Sequence, residues 1–259
     1  MSVTPIDQYC VYNQPSAPKT GHKCRNRHTW QHAHPKWDII WSEIPRCAST
    51  TMRPVFHDLD FKEMTFAEYE KRIQHGKDFF RVIFIRDPRR RLLSQFRHAQ
   101  KNGVLCTKQF KNESIKNKIN NFDPTIESYE RFVCSLKPPE SCEMDHHWFP
   151  MAAFVPAGLE LKDLSFIGNV DELKTQFPKM NDILTEKYGS EILDISRHLA
   201  KGLFASHRNK TRRIAGVDID PINGDFKSCW GMLSKKARDN FTSIYEKDFE
   251  LWNEYLSRK

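Results

Sequence analysis

The stretch Phe79-Phe80-Arg81-Val82-Ile83-Phe84-Ile85-Arg86-Asp87-Pro88-Arg89-Arg90-Arg91-Leu92-Leu93-Ser94 decides the fold. From Phe79 to Ile85 it is apolar except for Arg81, the composition of a strand covered on both faces. Arg86-Asp87-Pro88 ends the run, and proline suits the first turn of a helix. From Arg89 to Lys101 the spacing is helical, with Leu92, Leu93 and Phe96 on one face. Arg86 therefore stands where a buried strand ends, the edge at which open α/β sheets bind ligands.

Moving toward the N-terminus, Trp37-Asp38-Ile39-Ile40-Trp41-Ser42-Glu43-Ile44 is aromatic and β-branched and is closed by Pro45. It reads as a second buried strand. A helix is expected from Thr51 to about Leu59. Another is expected from Thr65 to Ile73, with Thr65 as cap and Glu68 completing a capping box. Residues 1–35 hold Pro5, Pro15, Pro18, Gly21 and Pro35 with little apolar periodicity and read as an irregular arm. Its His22, Cys24, His28, His32 and His34 match no compact zinc spacing and suit a solvated arm. No metal is expected.

Toward the C-terminus, residues 102–125 are rich in Lys and Asn and read as a loop, and Ile126 to Leu136 as a helix. Leu164 to Gly168 reads as a short strand and Val170 to Lys187 as a helix. Residues 190–204 read as a short strand or helical turn and 205–229 as a basic loop. Ser234 to Leu256 reads as one long amphipathic helix. Strands alternating with helices argue for α/β winding around a central parallel sheet, as a single domain over residues 36–259.

Composition narrows the classes. The 259 residues are 39% hydrophobic and 12% aromatic, which supplies a core and excludes global disorder. A net charge of +8 favours polyanionic partners without choosing among nucleotides, nucleic acid, glycans or membrane surfaces. The seven cysteines are scattered, odd in number and without a CxxC pair, which suits reduced thiols and a cytoplasmic setting. Met1 to Gln14 is polar, and no segment is long and apolar enough to span a membrane. A luminal Golgi location is the alternative if the chain is a trimmed piece. The sequons at Asn112, Asn209 and Asn240 read as chance matches.

Two segments have the makings of anion sites. In Ile44-Pro45-Arg46-Cys47-Ala48-Ser49-Thr50-Thr51 a strand runs through a tight loop of small and hydroxyl residues into a helix. Such a junction aims backbone N–H groups and a helix N-terminus at one spot. Ser49, Thr50 and Thr51 add hydroxyls and Arg46 a fixed charge. An ordinary strand–helix turn accounts for this segment alone equally well. The Walker pattern GxxxxGK[ST] is absent, against an ordinary ATP or GTP P-loop. The second segment begins at Arg86, with four arginines in six residues (86–91) and Ser94 about two turns into the helix. A solvated basic helix start accounts for Arg89 and Arg90, but less well for Arg86 directly after the apolar run. Thr51 and Arg86 lie 35 residues apart, a βαβ separation. Parallel neighbouring strands would put both segments on one edge, as a cleft for a nucleotide phosphorylated at its 5′ and 3′ positions.

The pair resembles the sulfotransferases that use 3′-phosphoadenosine-5′-phosphosulfate (PAPS), most closely the carbohydrate branch, over roughly residues 37–255. Pro45 to Thr51 is similar to that family's 5′-phosphosulfate loop, so the resemblance assigns Arg46, Cys47, Ala48, Ser49, Thr50 and Thr51 to the donor. Arg86-Asp87-Pro88 with Arg91-Leu92 and Ser94 is similar to its 3′-phosphate motif, in which the first Arg and the Ser hold the phosphate. His147-Trp148-Phe149-Pro150 resembles a His-Trp-x-Pro stretch. Phe166-Ile167-Gly168-Asn169-Val170-Asp171-Glu172-Leu173 resembles a Phe-Ile-Gly-x-x-Glu-x-Leu stretch. His207-Arg208-Asn209-Lys210-Thr211 is similar to the late donor-covering loop, which adds Asn209, Lys210 and Thr211.

The resemblance implies a P-loop-type three-layer fold. It implies sulfuryl transfer from PAPS, with PAP as product, to a hydroxyl or amine of a glycan or small molecule, with no nucleic acid partner. Arg46 departs from the family's usual Lys. Arginine stabilises charge and donates hydrogen bonds but does not readily give up its proton, so binding is expected to survive while catalysis at that position is less secure.

An acceptor hydroxyl needs a general base. His147 is the first candidate because of its stretch, with His57 and His75 as alternatives. Each also reads as a packing or surface histidine. Trp148 reads as core or as pocket wall, and the basic run Arg208 to Arg213 as a donor cover or a solvated loop. A nucleotide or small-molecule kinase predicts a Gly-rich loop with Lys and a carboxylate for Mg²⁺, neither of which is evident. A nucleic-acid-binding module predicts a basic stripe with interleaved aromatics, whereas the arginines gather at strand ends.

Overall fold

The computed structural model of the chain describes residues 28–65, 68–69, 71–72, 78–102, 125–137, 148–155, 161–189 and 226–259. Five strands form a mixed sheet in the order β3-β1-β2-β4-β5. They are β1 (His28–Ala33), β2 (Ile39–Ser42), β3 (Lys62–Thr65), β4 (Phe80–Ile85) and β5 (Phe166–Asn169). The helices are α1 (Ser49–Asp58), α2 (Pro88–Asn102), α3 (Ile126–Ser135), α4 (Leu173–Tyr188), α5 (Phe226–Met232), α6 (Lys235–Ile244) and α7 (Glu246–Ser257). The chain divides into two compact units, one of Met1–Arg86, Met151–Ser206 and Asn253–Lys259, the other of Asp87–Pro150 and His207–Trp252.

The first unit carries the sheet. The α/β class stands, with parallel pairing confined to half of the sheet. β4 lies between β2 and β5, parallel to both, with Trp41 beside Val82 and Ile83 beside Ile167. Alternate residues Phe80, Val82 and Phe84 join Ile39, Trp41 and Phe166 on one face. Met52, Val55 and Phe56 of α1 and Phe177, Met180 and Leu184 of α4 complete that core. Trp41 stacks on Phe56 at 4.3 Å, and Phe84 on Phe177 at 6.2 Å. Ile83 and Ile85, pointing the other way, are fully buried too. A strand covered on both faces is what the unbroken apolar run requires, each such side chain contributing about 1.5–3 kcal/mol.

The remaining half of the sheet corrects the reading of residues 28–33 as irregular. β1 pairs antiparallel with β2, Gln31 beside Ser42, and β3 pairs antiparallel with β1, Glu63 beside His32 and Lys62 beside Ala33. His-Thr-Trp-Gln-His-Ala and Lys-Glu-Met-Thr have no apolar alternation. They become strands because β2 offers β1 an open edge and β1 in turn offers one to β3, and the outermost strand tolerates charge. His32 and His34, expected in a solvated arm, are buried. Thr65, expected as a helix cap, is the last residue of β3, while Glu68, Tyr69, Lys71 and Arg72 are helical.

Described residues of the second unit are helical around Leu92, Phe96, Tyr129, Phe132, Trp148, Phe241 and Tyr245. Phe96 lies 5.2 Å from the Tyr129 ring and 5.3 Å from that of Phe132. α5 begins in the last four residues of the stretch read as a basic loop (205–229) and runs past it, and Cys229 and Leu233 bury against this core. The expected long closing helix is two helices: Tyr245 leaves helical backbone at φ −109° and ψ 21°. Its ring stacks on Phe241 at 4.6 Å and its hydroxyl donates to the Trp148 carbonyl at 2.5 Å, contacts that offset the break.

Gly168 in β5 is required by close packing, since a Cβ there would meet the Phe84 ring at 2.5 Å. Phe84 is held from its other side by Phe177 and cannot swing clear. Gly168→Ala is therefore expected to destabilise the fold by about 2–3 kcal/mol in denaturant unfolding, the cost of overpacking a filled core.

Candidate active site at the sheet edge

Parallel pairing sends the ends of β2, β4 and β5 to one edge of the sheet. Glu43 to Ala48 leave from β2, Arg86 from β4, and Asn169, Val170 and Asp171 from β5. The expectation that the two anion segments share an edge is met as far as Arg86.

The loop after β2 is shaped by two residues in left-handed backbone, Arg46 (φ 65°) and Ala48 (φ 58°), neither of them glycine. Non-glycine residues pay about 1–2 kcal/mol for this conformation, which must be held by the surroundings. Ile44 and Pro45 are buried, and the Cys47 amide donates to the Ile44 carbonyl at 3.0 Å. The Cys47 thiol turns inward to Met151 at 3.5 Å, so Cys47 offers a ligand only its backbone. Ala48 caps α1 without a side-chain hydrogen bond, and its carbonyl accepts from the Thr51 and Met52 amides, both at 2.8 Å. The Ser49 and Thr50 amides precede the first intrahelical acceptor, so they face outward at the positive end of the helix. Thr50 is exposed, and Ser49, Thr51 and Arg46 are half-buried. The strand, the left-handed turn and the helix start together make a cradle of N–H donors that fits a phosphate or sulfate group.

Arg86 is half-buried and clasped by Asp171: Nε donates to the two carboxylate oxygens at 3.1 and 3.2 Å, and Nη2 donates to Oδ1 at 2.6 Å. Asp171 is itself held by Asn169, whose Oδ1 accepts from the Asp171 amide at 3.0 Å.

The second unit uses much of the remaining arginine cluster internally. Asp87 caps α2, its Oδ1 accepting from the Arg89 amide at 2.9 Å, while the Arg89 guanidinium doubles back onto the same carboxylate at 3.0 and 2.5 Å. Arg91, buried at the start of α2, donates to the Phe149 carbonyl at 2.8 Å. Ser94 is half-buried on α2. Trp148 is core, edge-on to Phe132 at 5.4 Å. The His147-Trp148-Phe149-Pro150 stretch is thus anchored from Trp148 onward by its ring and two carbonyls.

The sequence model of the sulfotransferase family matches residues 27–255. The chain belongs to the sulfotransferase family. Comparison with curated proteins and with solved structures returns no significant match. This sulfotransferase is therefore a transferase of sulfuryl groups.

Sequence reading missed one feature of this sulfotransferase edge. Glu43, the first residue past β2, is buried and accepts from Arg53 of α1 through Nε at 3.2 Å and through Nη2, and bonds His32 Nε2 at 3.0 Å. His32 stacks on Trp41 at 4.7 Å. Burial works to raise the Glu43 pKa, but hydrogen bonds and charge from His32 and Arg53 outweigh it and hold the carboxyl below the ordinary glutamate value. The network ties β1, β2 and α1 together beside the cradle. Its only sequence signal was a carboxylate ending an apolar strand.

His57 is exposed near the far end of α1. It lies eight residues past Ser49, 57 − 49, or about 12 Å along the helix axis from the cradle. His147, His75, Asn209, Lys210 and Thr211 lie outside the described residues. Among the described residues, no helix is long and apolar enough to cross a membrane.

Two outcomes follow from the loop and the network. Ala48→Gly relieves left-handed strain and is expected to raise the melting temperature by about 2–4 °C in calorimetry, the effect of about 1 kcal/mol in a domain of this size. Glu43→Gln removes one charge from the network and leaves His32 or Arg53 poorly paired, at a cost of about 2 kcal/mol in urea unfolding. Because the folded Glu43 pKa is depressed, its stabilisation is complete above the unfolded value and is lost as pH falls through the lower folded one. Unfolding measured from neutral pH to below 4.5 should show that acid loss in the wild type and a flatter profile in Glu43→Gln.

Proposed function

We propose that the chain transfers the sulfuryl group of PAPS to a hydroxyl or amine of a carbohydrate or small-molecule acceptor, releasing PAP. The observation that carries this reading is the placement of the outward-facing cradle of β2–α1 and the guanidinium of Arg86 on one edge of parallel strands. The 5′-phosphosulfate fits the cradle, where the Ser49 and Thr50 amides, the hydroxyls of Ser49, Thr50 and Thr51, and Arg46 receive it. Arg86 receives the 3′-phosphate, and the motif adds Ser94.

In the transfer, an acceptor oxygen or nitrogen forms a bond to sulfur as the bond from sulfur to the 5′-phosphate oxygen breaks. The electron pair leaves on that oxygen and the acceptor proton passes to a base. Preorganised donors at the leaving oxygen lower the barrier by meeting the charge that develops there. Arg46 supplies fixed charge and hydrogen bonds at this point, so proton donation to the leaving phosphate is not its part. His147 is the base this reading favours, because His57 stands at the opposite end of α1 and a base must lie within hydrogen-bond reach of the proton it takes. The carbohydrate class of acceptor is supported by the His-Trp-x-Pro and Phe-Ile-Gly stretches.

Calorimetric titration with PAP, with ATP as control, tests the reading. Wild type is expected to bind PAP in preference to ATP. Arg86→Ala should weaken PAP about 10- to 100-fold, the loss of a charge-assisted phosphate contact, and Ser94→Ala about fivefold. A folded protein that does not bind PAP overturns the proposal, and binding of ATP in its place returns the chain to the kinase reading.

A further inference from the structure

The guanidinium of Arg86 carries five N–H donors in one plane. Asp171 takes the side-on face, Nε–H and one N–H of Nη2. Three donors are left, the second N–H of Nη2 and both on Nη1, and no contact of theirs is found among the described residues. Nη1 and Nη2 form the end-on fork, which is the other bidentate face a guanidinium offers to an oxyanion.

The pair is fixed from both sides. Ile85 and Asn169 are register partners in the β4–β5 ladder, so Arg86 stands one residue and Asp171 two residues beyond a paired rung. Asn169 is buried and bonds the Asp171 amide, which sets the direction in which that carboxylate leaves the strand. The ion pair is only partly exposed, at 22% for Arg86 and 20% for Asp171, so water competes weakly for it.

We propose that Asp171 is a positioning residue for anion binding at Arg86: it holds the side-on face so that the end-on fork is presented, already ordered, to the 3′-phosphate of the donor. This inference rests on the proposed PAPS-dependent function. An arginine at a strand end without such a partner must lose its rotamer freedom on binding, and Asp171 removes that cost in advance. Its charge also repels the phosphate, but it sits on the side-on edge of the guanidinium rather than at the end-on fork, and the positive charge between the two anions offsets the repulsion. The ordering effect prevails. Asp171 occupies the glutamate position of the Phe-Ile-Gly-x-x-Glu-x-Leu stretch, with a carboxylate in each case, so the longer side chain should serve as well.

The test compares PAP with adenosine 5′-phosphate, which lacks the 3′-phosphate, by calorimetry on wild type, Asp171→Ala, Asp171→Glu, Arg86→Ala and the Arg86→Ala/Asp171→Ala double variant, with melting curves to confirm folding. Asp171→Ala is expected to weaken PAP about tenfold and adenosine 5′-phosphate less than twofold. Asp171→Glu should come within about threefold of wild type. In the Arg86→Ala background, removing Asp171 should change nothing further. If Asp171→Ala fails to fold, isosteric Asp171→Asn takes its place, with an expected loss of about threefold for PAP alone. Three results overturn the role: tighter PAP binding without Asp171, which would make it a competitor; equal losses for both nucleotides, which would make it merely structural; and no change at all. Absence of PAP binding by wild type fails the functional reading itself, before any variant is made, and removes this inference with it.

Discussion

Val82 to Ile85 are buried on both faces and hydrogen-bonded on both flanks to parallel neighbours, so three chain segments must leave the sheet at the same edge. Antiparallel pairing of β4 with either neighbour would send one of those segments to the opposite edge. The cradle after β2, Arg86 after β4 and Asp171 after β5 are brought together by that single choice of direction. The aromatic core behind them, Trp41, Phe56, Phe84 and Phe177, makes the choice costly to reverse. Close approach of β5 to Phe84 at Gly168 shows how little room the arrangement leaves.

Charge at the edge is handled more sparingly than a run of arginines suggests. Arg86 shares its guanidinium with Asp171, Arg89 with Asp87, and Arg91 is buried against a carbonyl. A cluster that reads as a general attraction for phosphate resolves into individual side chains, each with a defined partner. What is offered to an anion is directional N–H groups rather than diffuse positive charge, and directional donors are what a transfer with charge developing on one leaving oxygen requires. The same economy holds at the cradle, where backbone amides at the start of α1 supply donors that no side chain need order.

Legibility in the sequence followed the strength of local pattern. Phe79 to Ile85 announced β4 because a strand covered on both faces has no polar alternation to confuse it, and the helix expected from Ile126 to Leu136 is α3 at Ile126–Ser135. Both anion segments were visible because each joins a strand end to a helix start. By contrast, β1 and β3 were not readable: their residues are mostly polar, and they are strands only because β2 has an edge for β1 to cover and β1 one for β3. The division of the closing helix at Tyr245 was hidden for a similar reason, since the contacts that stabilise the break come from Trp148 and Phe241. Nor could the His32–Glu43–Arg53 network be seen, because its members come from three elements and no spacing links them.

The sequence by itself determined the α/β class, the two strand-to-helix segments proposed as anion sites and the family, since these rest on runs of neighbouring residues whose hydrophobicity and turn chemistry act locally. Tertiary structure alone decided that the sheet is mixed, that Arg46 and Ala48 take left-handed backbone without glycine, and that Arg86 is clasped by Asp171. Each of those outcomes depends on a partner distant in the chain: an open strand edge, a buried loop that holds a strained turn, a carboxylate 85 residues away. Local propensity is a few tenths of a kcal/mol per residue, and packing and pairing across the fold exceed it wherever the two disagree.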